Sequence, residues 1–404
     1  MKIVNILGIN IHKISKTETL EKIEGFLAGV GQHYLVTPNP EILLLSHQDE
    51  EFFYILNHAD LSLSDGIGLR FAAWLLRDDL YRITGAKLTE EILKIAEAKN
   101  YKVAVINWCC GLSSQADIEV SLCDKYPKLN FIVEDIERGQ DISACVRVQE
   151  FKPDVMFVAL GAPHQEKFIY HNLNKVPSVK VALGIGGAFD FITGKTKRAP
   201  KLMRRLGVEW LWRLFSHPQD RWNRAKRIYN AVVVFTFKVL QWRFIMPFQY
   251  RPNVACLLYK KVGEKYQVLL VERKDEAGHW QLPQGGLDGL DLETAGMKEL
   301  REEIGNEKFA PRATYKNLHK YRFDNSKPRH RGAVYTRHAG YGGQRQGLLI
   351  AEFLGTDDDI KISFWDHADW KWVDSEKLIE TVHEVRKPAV RIYLEKFEGF
   401  LKNL

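Results

Sequence analysis

The 404-residue sequence is poor in sulfur, with five cysteines and five methionines. None of Cys109, Cys110, Cys123, Cys145 and Cys256 makes a C-x-x-C pair, which excludes the zinc knuckle and the dithiol redox motif built on that spacing. An odd number without a framework spacing points to reduced, mostly buried thiols of a cytosolic protein. The opening MKIVNILGINIHKI lacks the unbroken apolar core of a secretion signal, being interrupted by Asn5, Gly8 and Asn10, and it reads as a strand. No uninterrupted apolar run reaches the ~18 residues expected of a membrane span. The nearest, AVVVFTF at 231–237, is short and is followed by Lys238 and Arg243. Internal repeats and low-complexity tracts are missing too. What is present is a globular composition, 45% hydrophobic and 27% charged, on a chain too long for one ordinary core. Two or three domains are expected.

The formal charge of +7 is concentrated. From Lys195 to Arg243 stand thirteen Lys and Arg against Glu209 and Asp220, so the rest of the chain is acidic on balance. Any anionic partner is to be sought in that stretch. The first 195 residues alternate short β-branched runs with helical patterns. HYLVTPNPE, ADLSLSDGIG, YKVAVINWCCG, FKPDVMFVALGAPHQ and SVKVALGIGGAFD each read as a strand ending in a polar or glycine-rich turn, and a helix is expected over 89–100. This is the pattern of an α/β domain with a mainly parallel, Rossmann-like sheet. In such sheets ligands bind outside the carboxyl ends of the strands.

The turns after those strands carry chemistry. In TPNPE, Asn39 and Pro40 make an N-cap and N1 pair, which capping alone can explain. Asp65 in SDGIG is placed to be a general base, or is a turn aspartate. Gly161 and Pro163 of LGAPHQEKF lead into a helix whose first amides could face a diphosphate. Gly184, Gly186 and Gly187 follow a buried strand, ahead of Lys195, Lys197 and Arg198. In this order the motifs TPN, DGIG, RITGA, GAPHQEK and GGAFDFITGKTKRAP resemble the WecG/TagA/CpsF glycosyltransferase family over about residues 1–245. The resemblance implies transfer of N-acetylmannosamine, or its uronic acid, from UDP to a polyprenyl-diphosphate-linked sugar. It gives Asp65 the role of base and puts Thr37, Asn39 and Gln165 in the substrate pocket, with Gly186, Gly187 and Arg198 as further binding residues. His164 stands where the family often has lysine. No D-x-D occurs in the first 245 residues, so no cofactor is indicated for this domain, and backbone amides and arginines are expected to stabilise the leaving UDP.

A period-2 pattern begins at Asn253. VACLLYKK, YQVLLVER, QGLLIAEFLG and WKWV read as strands at antiparallel-like spacing, and VRKPAVRIYLEKFEGFL as a closing amphipathic helix. Between them, Glu299, Glu302 and Glu303 stand three and four apart, which on one helix face costs a few tenths of a kcal/mol per like-charged pair. A divalent cation would compensate. WQLPQGG followed by KELREEIG resembles the Nudix box, G-x5-E-x7-R-E-U-x-E-E-x-G-U, with Gly305 as its final glycine. The family's three Mg²⁺-binding glutamates then fall on Glu299, Glu302 and Glu303, and either one of these or another such as Glu352 acts as base. Leu290 stands in place of the first Glu, Lys298 of Arg and Asn306 of an apolar residue, and the loop from Gly285 is one residue short. Asp291 is a stand-in for the lost brace of the helix. RPNV, WQLPQGG and GQRQ resemble the branch of RNA pyrophosphohydrolases and dinucleoside polyphosphate hydrolases over 249–404, which makes Arg251, Arg273, Lys274 and Arg345 candidates for holding phosphates.

The expected layout is an α/β transferase core at 1–195, a basic Trp/Arg-rich helical appendage at 196–248 and an α+β Nudix fold, a mixed sheet between helices, at 249–404. For the appendage three readings stand: a contact with an anionic membrane surface, RNA binding, or a packed helix pair with a solvated basic face. The first suits the lipid-linked acceptor and an enzyme peripheral on the cytoplasmic face of the cell membrane. Expected partners are a UDP-sugar, that acceptor, a nucleotide or RNA 5′ end, and a further copy of the chain in a homo-oligomer. The Nudix domain is read as a hydrolase or as a catalytically silent nucleotide-binding module that regulates the transferase.

Overall fold

The computed structural model describes residues 1–197, 199–200, 203, 212, 225–226, 228–274, 276–323, 340–362 and 367–403. They divide into two compact units, one from Met1 to Arg243 and one from Phe244 onward.

The first unit opens with an antiparallel hairpin, β1 (Lys2–Ile6) and β2 (Ile9–Lys13). Helix α1 (Lys16–Ala28) follows, started by a Ser15/Glu18 capping box that satisfies two otherwise open amides. Six strands then form a parallel sheet: β3 (His33–Val36), β4 (Leu61–Ser62), β5 (Val103–Trp108), β6 (Phe131–Ile136), β7 (Val155–Ala159) and β8 (Val181–Gly184). Their order is β4-β3-β8-β7-β5-β6. Helices α2 (Pro40–Ser46), α3 (Glu50–Asn57), α4 (Ile67–Leu75), α5 (Gly85–Lys99), α6 (Gln115–Lys125), α7 (Val146–Phe151), α8 (His164–Asn172) and α9 (Ala188–Ile192) accompany the sheet. The helix expected over 89–100 lies in α5, which ends on Asn100 in the left-handed conformation.

Strand alternation splits the apolar side chains between two cores. Val103, Val105, Phe157 and Leu183 pack with Ile23, Ile92, Leu122 and Phe189 on one face. Ala104, Ile106, Met156, Val158 and Ala182 pack with Val148, Phe168 and Ile169 on the other. Burial on both faces is why these strands read as near-continuous apolar runs. β6 escapes sequence reading because it is an edge strand that carries Glu134 and Asp135.

Of the appendage, the carboxyl-terminal part is described. Asn230–Phe248 runs as a helix of 19 residues with mean hydropathy 1.4, long and apolar enough by length and composition to cross a membrane. Counting uninterrupted apolar residues set this stretch aside, yet the helix continues through Lys238 and Arg243. Phe235 and Val239 are buried in a core with Val36, Leu43 and Leu69. Val233, Phe237, Leu240 and Phe244, spaced four, three and four, are exposed.

The second unit is a mixed sheet between helices. Its strands are β9 (Tyr250–Val262), β10 (Lys265–Arg273), β11 (Trp280–Gln281), β12 (Gln284–Gly286), β13 (Phe309–Arg322), β14 (Gly343–Phe353) and β15 (His367–Asp374). The order is β11-β10-β9-β14-β13, with β12 on β9 and β15 on β10. The expectation of antiparallel pairing needs one correction, since β9 and β14 are parallel over ten residue pairs from Gly343/Tyr250 to Glu352/Tyr259. β13 was not foreseen, because FAPRATYKNLHKYR is largely polar and only Phe309 in it is fully buried. Leu257, Leu270 and Ile350 meet Tyr393 and Phe397 of the C-terminal helix Lys387–Leu401. Val254, Cys256, Leu269 and Leu349 meet Leu292, Leu300 and Ile304 of the glutamate helix Leu292–Ile304 on the opposite face. The reading of mostly buried thiols is also corrected: Cys109, Cys110 and Cys123 are exposed and only Cys145 and Cys256 are buried, all five being free.

Candidate active sites

In the first unit the candidate residues follow four adjacent strands, because the sheet order β4-β3-β8-β7 sets their carboxyl ends side by side. Thr37, beyond β3, is buried, and its Oγ1 lies so near the start of α5 that a Cβ on Gly85 would come within 3.2 Å of it. Asp65, beyond β4, is half-buried. Its backbone N donates to Pro38 O at 2.9 Å, and its Oδ2 accepts from Gly85 N at 3.4 Å. Thr37, Asp65 and the amino end of α5 therefore converge. Asn39 caps α2 by accepting from Ile42 N at 3.0 Å, so its oxygen serves the fold.

On β7 and β8 the partner is Gln165. It is buried at the start of α8, accepts from Gly186 N at 2.8 Å and donates to Glu166 Oε1 at 2.7 Å. A Cβ on Gly184 would come within 2.7–2.9 Å of the Gln165 side chain, which explains a glycine at that strand end. Gly186 takes φ 51, in the left-handed region. Gly187 lies against Asp190, whose Oδ1 accepts from Ser113 Oγ at 2.8 Å. Lys167 turns out to be an ion-pair residue, 2.7 Å from Asp49 and 2.8 Å from Glu51. Arg198 lies outside the described residues.

Three neighbours were missed by sequence reading. Ile83 N donates to Ser64 O at 2.9 Å, which brings the adjacent Arg82 to the end of β4 beside Asp65. RITGA was the available signal. Ser64 is buried, and its Oγ has no hydrogen-bond partner among the described residues. Glu166 is also buried, and desolvation pushes its carboxyl up to about 7.

In the second unit Glu299 and Glu303, four apart, both face inward and are buried, while Glu302 is exposed and lies 3.6 Å from Lys298. The expected single face thus divides into an inner pair and an outer member. A Cβ on Gly285 would fall 1.8–2.1 Å from the Glu299 carboxylate, so a larger residue there would force that side chain to move. Glu303 Oε1 accepts from Gln284 N at 3.3 Å. Both carboxylates push up the Cys256 thiol beneath them, after burial itself. Two buried carboxylates beside a glycine loop offer hard oxygens of the kind Mg²⁺ takes, but Glu299, Glu302 and Glu303 do not come together as one compact ligand group, Glu302 being turned to the solvent edge. Asp291 serves as helix N-cap, accepting from Glu293 N and Thr294 N at 3.1 Å each, so its carboxylate is occupied away from Glu299. Glu352 is held by Arg312, with Nε donating at 2.8 Å.

The phosphate-binding candidates separate. Arg251 packs over Gly286, where a Cβ would come within 2.5 Å of Nη2, and the pleat turns that contact away from the one Gly285 makes with Glu299. Arg273 pairs in register with His367, and its charge acts on both His367 and Arg386. Lys274 and Arg345 are exposed. His367, 3.9 Å from Glu303, is pushed down to about 4 by burial and by Arg273, so its ring is neutral at neutral pH. Sequence reading missed Arg386, which donates to Gln284 at 3.1 and 2.8 Å in the amide orientation that satisfies both groups. It also missed the buried Asn253, Gln346 and Tyr393, joined at 3.0 and 3.1 Å. RPNV and GQRQ contain part of this set, but Tyr393 arrives from the C-terminal helix, 47 residues beyond Gln346.

Comparison with known proteins follows the same division. The model of the glycosyl transferase WecG/TagA/CpsF family matches residues 4–247, and that of the NUDIX domain matches 249–393. An N-acetylglucosaminyldiphosphoundecaprenol N-acetyl-beta-D-mannosaminyltransferase of Staphylococcus aureus (strain MRSA252) is 31% identical over 243 residues, covering 58% of this chain and 91% of the relative. Among solved structures, a C. elegans Ap4A hydrolase is similar at 22% identity and TM-score 0.28, covering 38% of this chain and 99% of that one. The E. coli dihydroneopterin triphosphate pyrophosphohydrolase is similar at 18% identity and TM-score 0.27, covering 36% and 98%.

Proposed function

The chain belongs to the WecG/TagA/CpsF glycosyltransferase family and carries a Nudix hydrolase domain as well, and on that premise we propose that it transfers an N-acetylmannosamine-type sugar from UDP to a polyprenyl-diphosphate-linked acceptor. The observation that carries this reading is the convergence of Thr37, Asp65 and Gln165 at neighbouring strand ends. In the proposed reaction Asp65 takes the proton of the acceptor hydroxyl as its oxygen bonds to the anomeric carbon and UDP departs. Thr37 and the amide nitrogen of Asn39 line the sugar pocket. Gln165 fixes the Gly186–Gly187 turn, whose backbone amides, with Arg198, receive the diphosphate. Asp65→Asn should abolish transfer while leaving the melting temperature unchanged; turnover retained by the variant would sink the assignment.

The exposed Val233, Phe237, Leu240 and Phe244 support a membrane role for the appendage, on the cytoplasmic face where a lipid-linked acceptor is reached. Flotation with anionic vesicles, against gel shifts with RNA, separates this reading from nucleic-acid binding.

For the second unit the proposal is Mg²⁺-dependent hydrolysis of a nucleoside diphosphate linkage, in an RNA 5′ end or a dinucleoside polyphosphate. Glu299 and Glu303, with Glu302 at the edge, would hold the ion, which supplies charge neutralisation of the phosphates and acidifies a bound water. Arg251, Arg273 and Arg386 orient the phosphates, with Lys274 and Arg345 available from the surface. The second reading, a silent nucleotide-binding module regulating the transferase, is favoured by the Lys298–Glu302 pair, which occupies one candidate ligand. Turnover of 5′-triphosphorylated RNA, diadenosine tetraphosphate and UDP-sugars with Mg²⁺, beside Glu302→Gln and Glu303→Gln, decides between them: binding without turnover makes the domain a sensor.

A further inference from the structure

Three donor groups stand apart from both candidate sites. Glu276 and His279 lie in the turn from β10 to β11, where His279 N donates to Glu276 O at 3.0 Å and Arg273 N to His279 O at 3.1 Å. His383 lies in the loop before the C-terminal helix, and its N donates to Trp280 O at 3.0 Å. These backbone bonds bring the side chains together. Glu276 Oε2 is 2.8 Å from His279 Nδ1, and Oε1 is 3.6 Å from His383 Nε2. The two imidazoles stack with centroids 4.0 Å apart and planes 7° from parallel, so the half-buried His383 ring has to turn out of the stack for both nitrogens to meet one ion, which imidazole binds in its own plane.

One ligand atom from each residue can be chosen so that all three lie within 4.8 Å of one another. Nitrogen and oxygen ligands ~2.0–2.2 Å from a tetrahedral ion stand about 3–3.5 Å apart, so the cluster is near the size of one coordination sphere. A second observation concerns His279, whose side chain is 9% exposed and whose Nε2 is buried without a hydrogen-bond partner among the described residues. Arg273 and Arg386 act on His279 and oppose a cation; the Glu276 carboxylate offsets part of that charge.

We propose that Glu276, His279 and His383 form a second metal site, one that takes a nitrogen-preferring transition ion such as Zn²⁺. Imidazole suits Zn²⁺, Cu²⁺ and Ni²⁺, whereas the all-carboxylate set on the glutamate helix suits Mg²⁺. The exposed position of Glu276 leaves room for water as a further ligand. The ion clips the β10–β11 turn to the loop before the C-terminal helix. Arg273 stands three residues before Glu276 and Arg386 three after His383, so the clip fixes the backbone from which both arginines project.

The test is competition titration of chelator-stripped full-length protein with Zn²⁺ against a chromophoric chelator, with 10-fold or greater excess of Mg²⁺ over protein, on the order of ordinary assay conditions. One equivalent should bind and persist in the Glu302→Gln, Glu303→Gln double variant. His279→Gln and His383→Gln should each weaken it by about tenfold or more. His383 is partly exposed, so His383→Gln keeps the test intact if His279→Gln does not fold; its metal-free melting temperature should match the parent, and only the parent should be stabilised by Zn²⁺. Unchanged affinity in His383→Gln, loss of the equivalent in the double glutamine variant, or no Zn²⁺ bound at all would each overturn the proposal.

Discussion

In the first unit the candidate base Asp65 follows a two-residue strand and is surrounded by groups delivered from other strand ends, whereas in the second unit Glu299 and Glu303 come from a single helix and meet a single glycine loop. The transferase site is thus assembled by sheet order and the Nudix site by helical periodicity. Their electrostatics differ in the same sense. Asp65 stands at the amino end of α5, where backbone N–H groups and the helix dipole favour its charge. Glu299 and Glu303 bring two negative charges into one buried place, an arrangement suited to a bound cation. In the proposed reading, diphosphate chemistry is prepared with backbone amides in one fold and with a metal in the other.

The largest effect expected of a single change tests the first half of this contrast. Asp65→Asn should lower sugar transfer by ~10²–10⁴, the usual range for a general base, and leave Nudix turnover at its parental rate. Glu303→Gln should do the reverse, lowering Mg²⁺-dependent hydrolysis by ~10² or more without touching transfer, measured on the same preparation. A crossed effect would mean that the two activities are coupled.

Next come the two glycines that admit the functional side chains. Gly285→Ala must displace Glu299, and Gly184→Ala must displace Gln165; each should cost about 1–3 kcal/mol in denaturant melts and impair only its own site. If Gly285→Ala left both stability and metal binding unchanged, the cradle would be misassigned.

A smaller, pH-dependent effect belongs to Glu166. Its folded pKa of about 7 stands above the ordinary 4.5, so the folded state holds a proton that the unfolded state has lost. The contribution is full below about pH 4.5 and disappears as pH rises through 7. Stability should therefore decline by about 2 kcal/mol between pH 5 and pH 8, and Glu166→Gln should remove that slope. The smallest change is Lys298→Ala, which breaks a half-exposed pair with Glu302 and should move stability by less than about 1 kcal/mol. Any rise in hydrolysis in that variant would identify the pair as a restraint on Glu302.

The same contrast explains what could be read without coordinates. Most of the strands were legible, because a buried parallel strand such as Val155–Ala159 is an unbroken apolar run. β6 and β13 were not, since edge strands bury little and tolerate polar residues. The apolar stretch Asn230–Phe248 was undervalued because two cations interrupt the run of apolar residues, although the helix continues through them. Asp291 was read as a brace and is a cap, for both roles call on a carboxylate at the same point of the chain.

By itself the sequence determined the two fold classes and the two families, and it nominated the carboxylates and glycines proposed for each chemistry, because local periodicity and turn chemistry are written in neighbouring residues. Only the tertiary structure decided which of them meet. It separated Glu302 from the buried Glu299 and Glu303, assigned Lys167 and Glu352 to ion pairs, and brought Arg386, Tyr393 and the Glu276, His279 and His383 cluster together. Those outcomes depend on strand order, register and the paths of distant loops, which are fixed by packing free energy summed over the whole chain rather than by any short segment.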